Sequence, residues 1–194
     1  MVARGGGFYA YVRPEPATPS QVLDISYGKN GSANTVFKGN KVLGHRSGGG
    51  GAGPISAWGG GAYIYINQTN ARFTGTKFTG NEAESRDGEG GGGAIAIDLY
   101  TGGTANGKLT VTDAIFIDNK AIGTTAAYGG AIYARADTGS GHTLTGNTYT
   151  TNSATASGAL GEAYGGAITF MSGSHTLDGE TFDSNVASGS TAHG

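Results

Sequence analysis

A glycine-rich stretch decides the fold of this chain, and its clearest copy reads Tyr128-Gly129-Gly130-Ala131-Ile132-Tyr133. Further copies, some looser, occupy Gly5–Ala10, Gly59–Ile64, Gly91–Ala96 and Tyr164–Thr169. Between successive copies lies a second motif, an aromatic residue followed three positions later by Asn: Phe37–Asn40, Phe78–Asn81, Phe116–Asn119, Tyr149–Asn152 and Phe182–Asn185. Because the two motifs alternate without exception, the chain is a tandem repeat, and the repeat predicts the architecture.

The length and content of each repeat fit one coil of a parallel β-helix. Successive motif asparagines are 41, 38, 33 and 33 residues apart. Each repeat holds three β-branched or aromatic pieces bounded by Gly, Asn and Ser, for example Ala131–Arg135, His142–Thr145 and Thr148–Asn152. One coil cannot bury its apolar face, whereas coils stacked ~4.8 Å apart form a continuous core. We therefore predict an all-β fold, a right-handed parallel β-helix (β-solenoid) of about five coils of 33–41 residues.

The repeat also predicts the domain organisation. Residues 1–194 form a single repeat domain, and we expect them to be a segment of a longer array because the chain begins and ends at the same phase of the repeat. Length varies between repeats in four places, which we predict to be exposed loops. They are Arg13–Gln21, Arg46–Trp58, Glu82–Gly90 and Asn152–Tyr164.

Alternation within the strand-like pieces predicts which side chains face the core. Two inward columns are expected in the first piece: Tyr9, Tyr63, Ile95, Ile132 and Ile168, and then Tyr11, Tyr65, Ile97, Ala134 and Phe170. An outward column follows them, made of Val12, Ile66, Asp98, Arg135 and Met171. The aromatic residue of each second motif should point inward, and the motif asparagines should form a hydrogen-bonded ladder along the stack rather than a ligand site.

Composition excludes several classes of function. The net charge is −2 and the charged residues form no basic stripe, so neither nucleic acid nor an anionic membrane is an expected partner. Cysteine is absent, which removes disulfides, thiolate metal sites and cysteine nucleophiles. No apolar run approaches the ~20 residues that span a bilayer, so we expect no membrane insertion by this segment.

The individual motifs carry little chemistry by themselves. The Gly-Gly-Ala motif is followed by a strand and lacks the lysine of a phosphate-binding loop, so it is interpreted as a tight corner. His142 and His175 share a column one coil apart, but Leu109 and Ala71 in the same column supply no third ligand. We therefore expect two solvent-exposed histidines and no metal or cofactor site.

The sequence contains no set of residues that marks an enzyme. Asp98 is the only acid in the outward columns of the first strand, and Arg135 one coil further on is expected to pair with it as a surface salt bridge. The acid-rich stretch Glu82–Glu89 matches no calcium motif and is interpreted as a solvated loop. The prediction is that the chain is not an enzyme and has no catalytic residues; the alternative is a carbohydrate-active β-helix lyase or hydrolase.

Threonines form a second pattern, on the outward side of the second piece. They occur as Thr110-x-Thr112 and Thr143-x-Thr145, flanked by Arg72-x-Thr74 and Thr176-x-Asp178. A flat Thr-x-Thr array is typical of ice-binding solenoids, and threonine is also favoured on any exposed strand. An ice binder therefore remains a further alternative.

The alternating motifs resemble those of the polymorphic outer-membrane protein family, whose passengers contain many copies of these two tetrapeptides. Three glycine motifs match in full, which are Gly92–Ile95, Gly129–Ile132 and Gly165–Ile168. Four aromatic motifs do so as well, and Tyr149–Asn152 differs by one ring hydroxyl. The resemblance implies a β-helical, autotransporter-like passenger displayed on the cell surface and acting in adhesion.

We therefore expect a surface-exposed or secreted structural and adhesive rod, exported as part of a larger outer-membrane precursor. Its expected partners are a host surface protein, a glycan, or other copies of itself stacked end to end into a filament. Stacking is expected because the terminal coils offer apolar side chains such as Phe182 and open strand edges.

Overall fold

The chain forms a parallel β-solenoid. The structure is a computed structural model that describes residues 2–12, 22–26, 35–45, 54–66, 70–99, 107–135 and 141–194, and within these ranges it contains strands and turns but no helix. Coil 1 contains β1 (Val2–Arg4), β2 (Phe8–Val12), β3 (Val22–Ser26), β4 (Val36–Lys38) and β5 (Lys41–Gly44). Coil 2 contains β6 (Ser56–Trp58), β7 (Ala62–Ile66), β8 (Asn70–Thr74), β9 (Lys77–Thr79) and β10 (Glu82–Ser85).

The later coils repeat this plan. Coil 3 contains β11 (Glu89–Gly91), β12 (Ile95–Leu99), β13 (Lys108–Thr112), β14 (Ile115–Ile117) and β15 (Lys120–Gly123). Coil 4 contains β16 (Ala126–Tyr128), β17 (Ile132–Arg135), β18 (Thr143–Thr145), β19 (Thr148–Thr150) and β20 (Ser153–Ala156). Coil 5 contains β21 (Glu162–Tyr164), β22 (Ile168–Phe170), β23 (Thr176–Asp178), β24 (Thr181–Asp183) and β25 (Val186–Ser188), and β26 (Thr191–His193) follows.

Equivalent strands of successive coils pair in parallel and build five sheets, numbered here by the strand order within a coil. The first sheet has six strands and the other four have five each. The predicted fold class, an all-β parallel solenoid, is confirmed. The number of coils differs slightly from the prediction, because five complete coils are followed by the first strand of a sixth. The prediction of three strands per coil is wrong, because the described residues of each complete coil contain five.

The two additional strands of each coil lie where the sequence predicted loops. Glu82–Ser85 and Glu89–Gly91, in the acid-rich stretch, are strands, and so are Ser153–Ala156 and Glu162–Tyr164. The predicted loop Arg13–Gln21 and residues 46–53 of the predicted loop Arg46–Trp58 lie outside the described residues, and the described end of the second contains the strand Ser56–Trp58. These strands bury only small side chains, such as Ala83 and Ala154, so they lack the large alternating apolar residues by which strands are recognised.

The solenoid has two hydrophobic interiors rather than one. The second, third and fourth sheets enclose the main core, which contains the large side chains Ile64, Phe73, Ile97, Phe116, Ile132, Leu144 and Tyr149. The fifth and first sheets pack against each other through alanines, as in the cluster of Ala127, Ala154, Ala156 and Ala163. Because methyl groups are short, these two sheets approach closely, and we call this part the alanine lobe.

The Gly-Gly-Ala-Ile motif joins the two lobes. Gly92 has φ 61°, a conformation that costs energy for residues with a Cβ. At Gly93 a Cβ would lie 2.4 Å from the backbone N of Lys120, at the start of the fifth sheet. No side chain fits there, because the chain passes between the lobes at this point. Ala94 and Ile95 then point into the main core, where both are buried.

The aromatic-x-x-Asn motif builds the opposite corner, and the predicted asparagine ladder is confirmed. Asn119 Nδ2 donates to Asn152 Oδ1 of the next coil at 2.9 Å, and the Asn119 backbone N–H donates to the same oxygen at 3.0 Å. Asn119 Nδ2 also donates to the Phe78 carbonyl of the preceding coil at 3.1 Å. Asn81 and Asn152 repeat this arrangement, so these buried amides are hydrogen-bonded along the rod.

The predicted inward columns of the second sheet are wrong in the first two coils. Tyr63 pairs with Tyr9 and with Ala96, so it aligns one position later than Ile95, and Tyr9, Tyr11, Tyr63 and Tyr65 all point outward. The inward positions belong instead to Phe8, Ala10, Ala62, Ile64 and Ile66. The error arose because Gly59-Gly60-Gly61 offers two possible alignments with a two-glycine motif. The structure aligns Gly59, with φ 69°, with Gly92.

Candidate functional site

Asp98 and Arg135 form the ion pair that the sequence predicted on the outer face of the second sheet. They align in the paired strands β12 and β17, and Arg135 Nη2 lies 2.7 Å from Asp98 Oδ1. The Arg135 Nε–H donates to the same oxygen at 2.8 Å, and Asp98 Oδ2 accepts a hydrogen bond from the Tyr63 hydroxyl at 3.3 Å. Because both of its oxygens are engaged, Asp98 acts as a fixed acceptor in this surface.

Aromatic side chains fill the angle between the outer faces of the first and second sheets. We call this set the aromatic corner: Trp58, Tyr128, Tyr164 and His193 from the first sheet, and Tyr9, Tyr11, Tyr63, Tyr65 and Tyr133 from the second. The rings stack along the rod, with centroids 5.2 Å apart for Tyr128 and Tyr164 and 4.7 Å apart for Tyr164 and His193. The faces of most rings therefore contact one another.

Trp58 connects coils that are not neighbours. In coil 3 the first and second sheets place Gly91 and Ala96 where coil 4 has Tyr128 and Tyr133. The indole ring of Trp58, from coil 2, reaches across this gap and stacks on Tyr133 with a centroid distance of 4.8 Å. A Cβ on Gly91 would lie 2.2 Å from Trp58 Cζ3. The indole therefore rests directly on the Gly91 backbone, in space that any side chain at position 91 would occupy.

A small cleft opens beside the indole. Its volume is about 60 Å³, and it is lined by Arg4, Trp58, Tyr63, Asp98, Tyr133 and Arg135. The Arg4 guanidinium lies 5.0 Å from the centroid of the Tyr63 ring, a cation–π contact. In the part of the chain that the structure describes, Arg4 has no acidic partner. The cleft thus combines aromatic walls with two guanidinium groups and one carboxylate.

Burial raises the pKa of three phenols in this surface. The pKa of Tyr63 is raised, mainly by burial and then by the negative charge of Asp98. Burial likewise raises the pKa of Tyr133 and, with a contribution from Glu89, raises the pKa of Tyr128 to about 12. These hydroxyls stay protonated well above neutral pH, and each can donate one hydrogen bond and accept others.

Threonines occupy the outer faces of the third and fourth sheets, which lie on another side of the rod. The predicted Thr-x-Thr rows are aligned: Thr110, Thr143 and Thr176 form one row, and Thr74, Thr112 and Thr145 form another. The fourth sheet adds one pair that the sequence analysis missed, Thr148 with Thr181, whereas Ile117 lies between Thr79 and Thr150. Charged side chains interrupt the array at its ends, at Arg72 and Lys77 and at Asp178 and Asp183.

The prediction of two exposed histidines is wrong. The His142 side chain is buried in the main core and its ring stacks on that of His175 at 5.1 Å. His142 Nδ1 accepts a hydrogen bond from the Leu109 N–H at 3.0 Å, and His175 Nδ1 accepts one from the His142 N–H at 3.1 Å. The histidines thus form a short ladder like that of the asparagines. Burial, followed by the charge of His175, lowers the pKa of His142 to about 4.

The acid-rich stretch is a charged strand surface rather than a loop. Glu82 and Glu84, in β10, both contact Lys41 of the preceding coil, and Glu84 also accepts a hydrogen bond from Arg86 at 2.9 Å. The hydrogen bond from Lys41, with that from Arg86, lowers the pKa of Glu84 to about 2. Among the described residues, no three His, Asp or Glu side chains are placed to hold a metal ion.

The aromatic corner is therefore the described surface with the most varied chemistry, since it offers aromatic rings, hydroxyl donors and both signs of charge. The sequence analysis missed it because the register error placed Tyr9, Tyr11, Tyr63 and Tyr65 in the core. One signal was available: the tyrosines of Tyr128-Gly129 and Tyr164-Gly165 recur directly before the glycine corner, at a position that alternation places outside.

Comparison with known proteins provides no match. No protein-family model matches the chain, and neither a curated protein nor a solved structure matches it at a significant level. The described residues also contain no helix that is both long enough and apolar enough to cross a membrane.

Proposed function

We propose that the chain is a structural and adhesive display rod, a β-solenoid passenger segment exposed on a cell surface or secreted. Support comes from the ordered Gly-Gly-Ala-Ile and Phe-x-x-Asn motifs, which resemble those of polymorphic outer-membrane passengers. Further support comes from the architecture, because continuous sheets and ladders make a rod on which surface groups keep fixed positions. The proposed partners are surface molecules of another cell, either a protein or a glycan.

The observation that carries this proposal is the aromatic corner. Its rings lie outside the main core, yet Tyr63 and Tyr133 are only 2% and 8% exposed because neighbouring side chains of the corner cover them. This packing also fixes the positions of the two rings. Rings that are already ordered lose little entropy when a partner binds, and aromatic and arginine side chains dominate the energetics of many interfaces. Tyr9 and Tyr11 remain half exposed, which leaves contact area at one end of the corner.

Binding of the fluorescently labelled chain to cultured cells tests the proposal. We expect saturable binding that weakens about tenfold in the double variant Trp58→Ala/Tyr65→Ala, the loss expected for an aromatic hot spot. The matched control is Thr143→Ala/Thr148→Ala, two exchanges on the threonine faces, which should bind like the wild type. Circular dichroism first establishes that both variants are folded. Absence of saturable binding to every cell type tried, or equal loss in both variants, would contradict the proposal.

The aligned threonines favour a second candidate function, ice binding. In coil 4 the third and fourth sheets both carry a Thr-x-Thr pair, Thr143 with Thr145 and Thr148 with Thr150. Within a strand such hydroxyls repeat at about 6.6 Å, and between coils at ~4.8 Å. Thermal hysteresis separates the candidates, since an ice binder should depress the freezing point below the melting point and lose this activity in Thr143→Lys. A display rod should show no hysteresis.

A further inference from the structure

The charges around the cleft of the aromatic corner are unequal. Arg4 and Arg135 supply two positive charges, and Asp98 supplies one negative charge that is already paired with Arg135. Glu89 lies near enough to raise the pKa of Tyr128 and Tyr133, but it does not line the cleft. The guanidinium of Arg4 is therefore the group that favours an anion, and guanidinium groups bind carboxylates through directed hydrogen bonds.

The size of the cleft limits what can enter it. A volume of about 60 Å³ accommodates about two water molecules or a carboxylate, whereas pockets that enclose a whole small ligand measure ~300 Å³ or more. The body of a larger ligand must therefore lie along the rim, over Trp58, Tyr9, Tyr11 and Tyr65. Those side chains offer apolar ring edges beside hydroxyl donors and acceptors, which suit a molecule that has C–H and hydroxyl groups on one surface.

We infer that the cleft receives the carboxylate of an acidic sugar, and that the glycan containing this sugar lies along the aromatic corner. Arg4 pairs with the carboxylate, while Trp58 and the tyrosines contact the sugar rings. This inference rests on the proposed adhesive function and names the chemical class of its partner. Among the described residues, Arg4 and Arg135 are the only cations that line the cleft, so a single carboxylate fits it better than the closely spaced phosphates of a nucleic acid.

Isothermal titration with two kinds of carboxylated sugar tests the inference. The probes are trigalacturonate and sialyllactose, which distinguish a uronate from a sialic acid as the source of the carboxylate. Methyl-esterified trigalacturonate and lactose are their uncharged counterparts. We expect at least one acidic probe to bind about tenfold more tightly than its uncharged counterpart, the ratio for one charge-assisted hydrogen bond. Binding should weaken as salt is added.

Three variants locate the site. Arg4→Gln should lose the preference for the acidic probe, whereas Lys108→Gln, which removes one positive charge on the third sheet, should retain it. Glu89→Gln should bind the acidic probe about two- to threefold more tightly, because a repelling charge near the cleft is removed. Each exchange is on an outward-facing side chain, and the single tryptophan, Trp58, reports by its fluorescence whether the corner remains assembled.

The outcomes distinguish the inference from the proposed function. Equal affinity for acidic and neutral probes, or an unchanged preference in Arg4→Gln, would overturn the inference. If cell binding still required Trp58 and Tyr65, the proposed function as a display rod would remain supported, with a neutral glycan or a protein as the partner. Absence of any binding to cells or glycans would instead overturn both.

Discussion

The molecule contains two stacks of aromatic rings, one inside the main core and one on the outer surface, and they are built differently. The inner stack has a ring in every coil, Phe37, Phe78, Phe116, Tyr149 and Phe182, with neighbouring centroids 4.8 to 5.0 Å apart. The outer stack lacks a ring in coil 3, where Gly91 and Ala96 replace aromatic residues. Trp58 spans this gap from coil 2.

The difference shows which constraint acts on each stack. An inner position that lost its ring would leave a cavity, because no solvent or loop can fill the centre of the rod. An outer position can lose its ring because a side chain from a neighbouring coil can occupy the vacant space. The cleft lies beside this irregularity, and Arg4 and Arg135 line it together with Trp58. The inner stack fixes the coil geometry, whereas the outer stack is where the chain can vary its surface chemistry.

The largest effect is expected when a ring is removed from the middle of the inner stack. Phe116 is fully buried and stacks on both Phe78 and Tyr149. Phe116→Ala should lower the free energy of unfolding by ~3–5 kcal/mol, the range for a buried aromatic residue. Urea denaturation of the wild type and the variant measures this change in the free energy of unfolding. Phe182→Ala in the same column, where Phe182 is 50% exposed, should cost clearly less. Equal costs would show that burial in the middle of the stack is not what makes the inner rings important.

The second effect concerns the histidine ladder inside the main core. His142 has a pKa of about 4 in the folded chain, below the ordinary histidine value of 6.5. The unfolded chain therefore binds more protons between these values, and stability should fall as pH decreases from 6.5 to 4. The loss contributed by His142 is on the order of 3 kcal/mol. At pH values above about 6.5 the stability contributed by neutral His142 is fully present.

The variant His142→Leu isolates this contribution, because Leu109 occupies the neighbouring position of the same column. Carboxylates elsewhere also titrate in this range, so the quantity to compare is the difference in pH dependence between the two proteins. Denaturation at pH 4, 5, 6 and 7 should give a shallower profile for the variant. Parallel profiles would mean that His142 is accessible to solvent and titrates as in the unfolded chain.

The smallest effect on stability is expected at the outer stack. Gly91→Ala forces the Trp58 indole away from coil 3, because the new Cβ would overlap it. The lost ring contacts cost ~0.5–1.5 kcal/mol, and the reduced entropy of the unfolded chain offsets part of this cost. We expect a net change below ~1 kcal/mol together with a red shift of the tryptophan emission. Glu89→Ala, in the same strand, is the control and should leave the emission unchanged.

The sequence was sufficient to predict the inner stack but not the outer one. Phe116 and Asn119 recur at fixed spacing because each must fit the same place in every coil, and that repetition is visible in the sequence. The outer aromatic residues do not recur in every coil, and the triple glycine before Ala62 allowed Tyr63 to be aligned with Ile95. The strands of the alanine lobe, such as Ser153–Ala156, were also missed, since alanine facing alanine gives no strong hydrophobic signal.

The sequence by itself determined that the chain is a parallel β-solenoid, because a strict alternation of glycine corners and buried aromatic-asparagine corners suits stacked coils. Only the tertiary structure decided how the coil is folded in cross-section. The requirement for glycine at position 93 becomes clear only from the Lys120 backbone, which packs against it in the narrow passage between the two lobes. The cleft likewise depends on residues from four coils, including Arg4, Trp58 and Arg135. Contacts between residues this far apart in the chain depend on register and packing, which no local pattern encodes.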